Sequence, residues 1–285
     1  MDISINAKKA DITLDTEKTL GDVLSGLEQW IAPSGNRIKE INVNGKALGD
    51  EALTEAFGED IRGIKKLEII ISSWRELAAE ALSGLLAVCT LYGNAAFDER
   101  KAIISGWESS PASRFLKTDI PDIHKLADLT FSGEGLMARD LGIIIEERFM
   151  EAANPDQEIT GSEPLIKKIA SRMEELPLDI QTGKDQQAAE TIQLFSQVGE
   201  KLFRILFIYK SEGLSMDSFS IGDIPAKTFL DEFNSVLTEL STAYDNKDTV
   251  LVGDLAEYEL SPRLLKFYNA LKDFSASKVP NGSGG

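Results

Sequence analysis

The amino-acid sequence predicts an α+β protein, with a small mixed domain followed by a larger all-α helical-bundle domain. As far as Ser72, short alternating apolar runs surround a single helical segment. From Ser73 onward, apolar residues recur at spacings of three and four almost to the end of the chain. Period-two alternation is typical of strands, and the longer period is typical of helices. We therefore expect the mixed domain at 1–72, the helical domain at 73–278, and a flexible Gly-rich tail at 279–285.

The mixed domain begins with two short stretches, 3–7 and 12–14, in which apolar and polar residues alternate. This pattern predicts two strands, each with one buried face, joined by a polar turn. Apolar residues then recur at helical spacing over 20–31, and Pro33-Ser34-Gly35 ends this helix. The first part of the domain should therefore be a hairpin followed by one helix.

The rest of the mixed domain is predicted to return to strands. Ile38, Ile41 and Val43 lead into Asn44-Gly45, a strong signal for a two-residue hairpin turn. A short return strand should follow this turn, and a short connection leads to a last strand at 67–71. Because 67–71 is apolar almost without interruption, this strand is expected at the centre of the sheet.

The order hairpin, helix, strand pair and final strand resembles the β-grasp fold of ubiquitin-like and sulfur-carrier proteins. The residues that carry the resemblance lie at 3–14, 20–31, 41–46 and 67–71. Carriers of this family end in a free Gly-Gly, whereas here Ile71-Ser72-Ser73-Trp74 continues into a helix. The resemblance therefore implies a small recognition module rather than a carrier.

The helical domain should begin with a capping box, in which Ser73 is the N-cap and Glu76 is the third helical residue. Three later helices are expected to begin at Ser162, Asp223 and Ser261, each just ahead of a proline in the first turn. The longest helix, at about 184–211, is apolar around much of its circumference, which predicts a central core helix. The helices are predicted at about 74–92, 97–107, 120–129, 136–153, 164–176, 184–211, 224–245 and 262–275.

The segment 248–260 is the most distinctive part of the helical domain, and it faintly resembles a segment of uncharacterised bacterial proteins associated with motility and export genes. On a helix, Val250, Leu251, Leu255 and Tyr258 would share one face, which favours an amphipathic helix packed against its neighbours. If a partner binds this segment instead, the residues expected to contact it are Asp254, Glu257, Tyr258 and Glu259.

The charge balance restricts the partners. The chain of 285 residues carries 47 acidic against 30 basic residues, a net charge of −17. Such a surface repels nucleic acid and anionic membranes and would attract a basic protein. The N-terminus does not resemble a secretory signal, and charges interrupt the apolar stretches before ~18 residues, so no membrane span is expected. The single cysteine, Cys89, excludes an intramolecular disulfide, and this fits a cytoplasmic location.

The sequence predicts no catalytic, cofactor or metal site. His124 is the only histidine, and one histidine with one cysteine cannot supply a usual zinc ligand set. A Ser-His-Asp arrangement would have to use His124, which lies in a plain helical context without a nucleophile elbow. A buried, inert thiol is expected for Cys89.

These features predict a non-catalytic, cytoplasmic protein-interaction or adaptor protein, whose oligomeric state is left open. Two alternatives remain: a helical chaperone for export or motility proteins, and a metal-independent enzyme that uses carboxylate acid and base groups. An exposed apolar groove bordered by acids would favour binding. A pocket of converging carboxylates with raised pKa values would favour the enzyme.

Overall fold

The protein has the predicted α+β organisation, with strands in the first 73 residues and helices in the greater part of the rest. The computed structural model describes residues 1–278, apart from the side chains of residues 50 and 51, and the predicted tail at 279–285 lies outside this range. Two compact units are present: Met1–Phe149 with Ser211–Gly213, and the described residues from Met150 to Lys210 and from Leu214 onward. That residues 1–72 fold independently stays a prediction.

The N-terminal region is a mixed five-stranded sheet. Its strands are β1 Asp2–Ile5, β2 Lys8–Lys9, β3 Asn36–Val43, β4 Lys46–Ala47 and β5 Lys66–Ser73. The strand order is β2-β1-β5-β3-β4; β1 pairs parallel to β5, and the other pairs are antiparallel. The central position predicted for the last strand is confirmed, and the arrangement is compatible with a ubiquitin-like fold.

The first hairpin is tighter than the sequence analysis predicted. The backbone turns within Asn6 and Ala7, whose φ angles are 47° and 64°, so the second strand is β2 and not 12–14. Two consecutive positive φ angles are typical of the two-residue turn that matches the twist of paired strands. Ile12 and Leu14 nevertheless pack against the buried face of the sheet. The apolar alternation therefore indicated burial correctly but not strand pairing.

Helix α1, Leu20–Ile31, covers one face of the sheet. Thr19 and Asp22 form a capping box at its start: the Thr19 hydroxyl accepts from the Asp22 amide, and the Asp22 carboxylate accepts from the Thr19 amide. The capping hydrogen bonds, above all from the backbone amide of Lys18, lower the pKa of Asp22. The core of this region is formed by the buried residues Ile3, Leu20, Val23, Leu24, Leu27, Ile41, Val43, Ala56, Ile64, Leu67 and Ile69.

Strand β5 leads directly into a helix, as the capping box predicted. The Ser73 hydroxyl accepts from the Glu76 amide at 3.2 Å, and the Glu76 carboxylate accepts from the Ser73 amide at 2.9 Å. The remaining helices are α2 Asp50–Ala56, α3 Trp74–Asn94, α4 Phe97–Glu108, α5 Pro111–Asp119, α6 Pro121–Ser132, α7 Ala138–Ala153, α8 Pro155–Gly161, α9 Glu163–Gln181, α10 Asp185–Ser211, α11 Ala226–Asp245, α12 Thr249–Asp254 and α13 Ser261–Lys278.

Helices α5 and α8 were not predicted. Both begin with a proline at the first helical position, where the missing N–H has no helical partner to lose. At α5 the Ser110 hydroxyl also accepts from the amide of Ser113 and so completes an N-cap. The sequence Ser109-Ser110-Pro111 is therefore a helix start as well as a helix stop.

Of the three helix starts predicted from a capping side chain before proline, the start at Ser162 is at the predicted residue, but the predicted side-chain capping is wrong at all three. The Ser162 hydroxyl donates to the Glu158 carbonyl, and Asp223 lies in a turn between the short strands Ser220–Ile221 and Ile224–Pro225, so α11 begins at Ala226. Ser261 lies inside continuous helix, where its hydroxyl donates to the Ala170 carbonyl. These hydroxyl groups satisfy carbonyl groups instead of capping amides.

Helix α10 is the core helix that its wide apolar surface predicts. Ten of its residues are buried, among them Phe195, Leu202 and Tyr209. The Tyr209 hydroxyl donates to the carboxylate of Asp156 at 2.8 Å, and the Ser275 hydroxyl donates to the same oxygen at 2.7 Å. These bonds join α10, α8 and α13 within the second unit.

The sequence predicts no segment that could span a membrane, but helix α3 does not fit this expectation. Within residues 1–278, α3 is long and apolar enough to do so by length and composition, and 28% of its most apolar window is buried. One helix of this kind is weak evidence, because core helices of soluble proteins meet the same criterion.

Candidate partner-binding groove

An apolar groove opens between α10 and α11 in the second unit, and we call it the α10–α11 groove. It encloses about 370 Å³. The groove is lined by Ile192, Phe195, Ser196, Gly199, Glu200, Phe203, Phe233, Leu237, Leu240, Ser241 and Tyr244. On each helix the lining residues run over twelve positions, 192–203 and 233–244, which is about 16 Å of helix between the first and the last.

Aromatic packing fixes the floor of the groove. The rings of Phe203 and Phe233 are stacked with centroids 6.0 Å apart, and Phe195 meets Phe233 edge-on at 6.3 Å. Phe195 and Phe233 are buried, whereas Tyr244 at the end of the groove is 54% exposed. Ring pairs in these orientations stabilise a fixed arrangement beyond the burial of their area.

Gly199 keeps the floor of the groove open. A Cβ atom built at this position has no atom within 4 Å apart from its chain neighbours and the backbone of its own helix. A glycine inside a helix costs roughly 0.5–1 kcal/mol relative to alanine, and the φ angle here does not require glycine. The absence of a side chain at Gly199 therefore leaves space in the groove at some cost to helix stability.

The charged residue in the lining of the groove is acidic. Glu200 is the charged residue among those that line it, its side chain is 73% exposed, and its carboxylate lies 3.9 Å from Arg204. The groove therefore combines an apolar floor with an exposed acidic group in a chain whose net charge is −17.

The residues proposed from the sequence as a partner site lie on a different helical segment. Asp254 ends α12, and Glu257, Tyr258 and Glu259 lie in a π-helical turn, Leu255–Leu260, that leads into α13. Asp254 and Tyr258 are exposed, and the other two are partly exposed. None of the four lines the α10–α11 groove.

The apolar face predicted for 248–260 is partly wrong. Val250 and Tyr258 are 72% and 65% exposed, whereas Val252, Ala256 and Leu260 are buried. The π-helical turn has its hydrogen bonds five residues apart, which moves each later residue around the axis relative to an α-helix. The predicted packing of Leu255 is confirmed.

The described residues show no pocket in which carboxylates with raised pKa values converge. Three carboxyl groups among these residues have clearly shifted pKa values, and all three are lowered. Arg62 holds the pKa of Asp60 at about 2, Lys167 and Lys272 hold that of Glu163 at about 2, and the third is Asp22. This pattern does not favour a carboxylate acid–base enzyme. No group of metal-ligating side chains is present within residues 1–278.

A second cavity, about 710 Å³, lies beside α9 and the beginning of α10, and its lining is both polar and apolar. Arg172 lines it and donates to Thr191 at 2.9 Å and to the buried Asp179 at 3.2 Å. Lys184 contacts the other Asp179 oxygen at 3.2 Å. Arg172 and Lys184 both contact Asp179, so these three charged side chains stabilise one another within the fold.

The side chains of Cys89 and His124 are both shielded from solvent, Cys89 more completely than His124. Cys89 is buried, as predicted, and burial raises the pKa of its thiol to about 11. Low reactivity of this thiol stays a prediction. His124 is partly buried, and its side chain is 15% exposed.

Comparisons with known families cover two parts of the chain. Residues 1–73 match a family model described as the TP0873 N-terminal domain, and residues 158–270 match a domain of unknown function, DUF8042. No curated protein and no solved structure matches the chain. The second match includes every residue that lines the α10–α11 groove.

Proposed function

We propose that this chain is a cytoplasmic interaction protein and that its α10–α11 groove, which takes no part in catalysis, binds a helix of a basic partner protein. The observation that carries the proposal is an open apolar groove with an exposed acidic group. A helix of about three turns matches the 16 Å of lining on α10 and α11. Amphipathic helices commonly bind such grooves through apolar residues at positions i, i+3, i+4 and i+7.

The expected chemistry of the partner follows from the lining. Apolar side chains of the bound helix would pack against Phe203, Leu237 and Leu240, and a lysine or arginine at its edge would meet Glu200. Complementary charge raises the association rate and selects among partners, and its effect weakens with added salt. A net charge of −17 supports a basic partner over an acidic one.

We further propose that the N-terminal sheet is a β-grasp recognition module. The strand order β2-β1-β5-β3-β4, the parallel pairing of β1 with β5, and helix α1 on one face support it. Because β5 continues into α3 without a break, the module has no free C-terminal end for carrier chemistry.

Substitution of Gly199 tests the groove. Gly199→Trp is expected to weaken binding of a partner captured from the native lysate by about tenfold or more, because the indole would occupy the space that the partner's apolar residues need. The dissociation constant would be measured by calorimetry with the purified partner. Gly199→Ala is the matched variant: it adds one methyl group, should raise the free energy of unfolding by roughly 0.5–1 kcal/mol, and should retain binding.

A second control is Gly26→Trp, which places the same bulky residue at a helical glycine of α1 that also has open space. This variant should bind the partner as the wild type does. Equal binding by Gly199→Trp and Gly199→Ala, with both variants folded by circular dichroism, would contradict the proposal.

A further inference from the structure

Three side chains in the first unit form a hydrogen-bonded relay that the sequence analysis did not predict. Ser113 lies in the first turn of α5, and its Oγ is 3.2 Å from Nε2 of His124 on α6. The other ring nitrogen of His124, Nδ1, is 3.1 Å from the carboxylate of Asp128, one turn further along α6. A Ser-His-Asp relay is recognised by this geometry and not by the order of its residues in the chain.

The relay sets the roles of the two ring nitrogens. A carboxylate can only accept, so Nδ1 of His124 donates its proton to Asp128, and Nε2 is left with a lone pair. The Ser113 hydroxyl can then donate to Nε2, which is the arrangement in which a histidine serves as a base for a serine nucleophile. Asp128 is therefore a positioning residue for the imidazole.

The relay faces a cavity of about 510 Å³, within the size range of small-molecule sites. Ile104, Trp107 and Phe131 give it an apolar side, and Lys117 contributes a cation. Ser113 is only 4% exposed, so a reagent would reach its hydroxyl through this cavity.

One buried donor in the lining has no protein partner. Trp107 is 2% exposed, and its Nε1 has no hydrogen-bond partner among residues 1–278. A buried N–H without a partner is costly, and a ligand oxygen would satisfy it. Lys117 lies four residues after Ser113, on the same face of α5. Both residues line the same cavity as Ser113, and an N–H donor and a cation in such a cavity can both stabilise an oxyanion.

We propose that this cavity is a hydrolytic site for short-chain carboxylic esters, an activity that goes beyond the proposed partner binding. The Ser113 hydroxyl oxygen attacks the ester carbonyl carbon, and its proton passes to Nε2 of His124. The carbonyl oxygen of the tetrahedral intermediate takes the negative charge and accepts from Trp107 and Lys117. The bond from carbon to the alkoxy oxygen then breaks, and the alcohol leaves with the proton from His124.

Water completes the cycle. His124 removes a proton from a water molecule, and the water oxygen bonds to the acyl carbon. The bond from that carbon to Ser113 Oγ breaks, Oγ regains its proton from His124, and a carboxylic acid is released. The apolar side of the cavity, with Ile104, Trp107 and Phe131, would hold a short acyl chain.

The test uses the full chain with p-nitrophenyl acetate as substrate and a fluorophosphonate probe followed by peptide mass spectrometry. We expect the wild type to hydrolyse the ester and to carry the probe on Ser113. Ser113→Ala should lower the rate by about 100-fold or more and abolish labelling. Ser109→Ala, which removes an exposed hydroxyl before α5, should leave both unchanged.

Two further variants keep the result interpretable. His124→Gln should lower the rate about as much as Ser113→Ala while a circular-dichroism melt reports whether the fold is kept. Asp128→Asn should lower the rate, by as much as about 10⁴-fold, and shift the pH at which it is half-maximal, which a purely structural role would not do. Hydrolysis no faster than in buffer, an equal rate for wild type and Ser113→Ala, or labelling at another residue would overturn the proposal.

Discussion

Replacing Glu151 by alanine is expected to lower the free energy of unfolding by about 3–5 kcal/mol. Glu151 is 1% exposed, and its two carboxylate oxygens accept from Nε and Nη2 of Arg204, each at 2.7 Å. Lys201 is 3.8 Å from the same carboxylate. Removal of the carboxylate takes away both of the 2.7 Å hydrogen bonds of Arg204 to Glu151, whereas Lys201 keeps its closer pairing with Glu158 at 2.8 Å. The loss of this buried bidentate pairing accounts for the large cost.

A double substitution separates this cost from the net contribution of the ion pair. Glu151→Leu combined with Arg204→Met should be far less destabilising than Glu151→Ala alone, because apolar groups of similar volume often replace a buried pair without loss. Glu146→Ala, at an exposed position on the same helix, should change stability by no more than about 0.5 kcal/mol. Urea unfolding followed by circular dichroism measures all three. A loss below about 1 kcal/mol for Glu151→Ala would show that the pair is not buried as described.

Phe267→Ala is expected to cost a similar amount, about 3–5 kcal/mol. Phe267 on α13 is fully buried, and its ring centroid lies 5.2 Å from that of Phe203, 6.2 Å from that of Phe229 and 6.4 Å from that of Phe233. Loss of the ring would leave a cavity at the centre of this aromatic cluster, which surrounding helices can fill only in part.

Two matched variants give a scale for the loss of stability in Phe267→Ala. Phe267→Leu retains much of the volume and should cost clearly less than the alanine variant. Phe97→Ala removes the same ring from a position that is 89% exposed and should change stability by no more than about 0.5 kcal/mol. If thermal unfolding shows equal losses for Phe267→Ala and Phe97→Ala, the aromatic cluster is not the core of the second unit.

The sheet could be predicted from the sequence because its signals are local. Alternating apolar residues, the Asn44-Gly45 turn and the Ser73–Glu76 capping box each act within a few residues, and the structure has the central strand and the β5–α3 junction where these signals indicate them. The second hairpin strand was misplaced because the positive φ of Ala7 is not a usual alanine conformation.

The errors in the helical part have a common cause: the partners of the relevant groups are distant in sequence. The hydroxyl of Ser261 bonds to the Ala170 carbonyl instead of capping a helix. The exposure of Tyr258 depends on a π-helical turn that the residue pattern does not reveal, whereas Val250 lies before that turn and the turn does not account for its exposure. A proline after serine signals both a helix stop and a helix start, so α5 was missed.

The two candidate sites differ in how far the sequence could indicate them. Apolar residues along α10 were visible, but which of them line a groove depends on how α11 packs against α10. The spacing of His124 and Asp128 is readable as one helical turn. Ser113 joins them only because α5 folds as a helix beside α6, and α5 was not predicted.

Photo-cross-linking from inside the α10–α11 groove tests the central claim most directly. Benzoylphenylalanine would replace Ser196 or Ser241, which line the groove from opposite helices, and in a control Ser235, an exposed residue of α11 outside the lining. We predict that both groove positions cross-link to a helical segment of one basic partner and that Ser235 does not. Equal cross-linking from Ser235, or none from Ser196 and Ser241 when the partner is bound, would contradict the groove as the binding site.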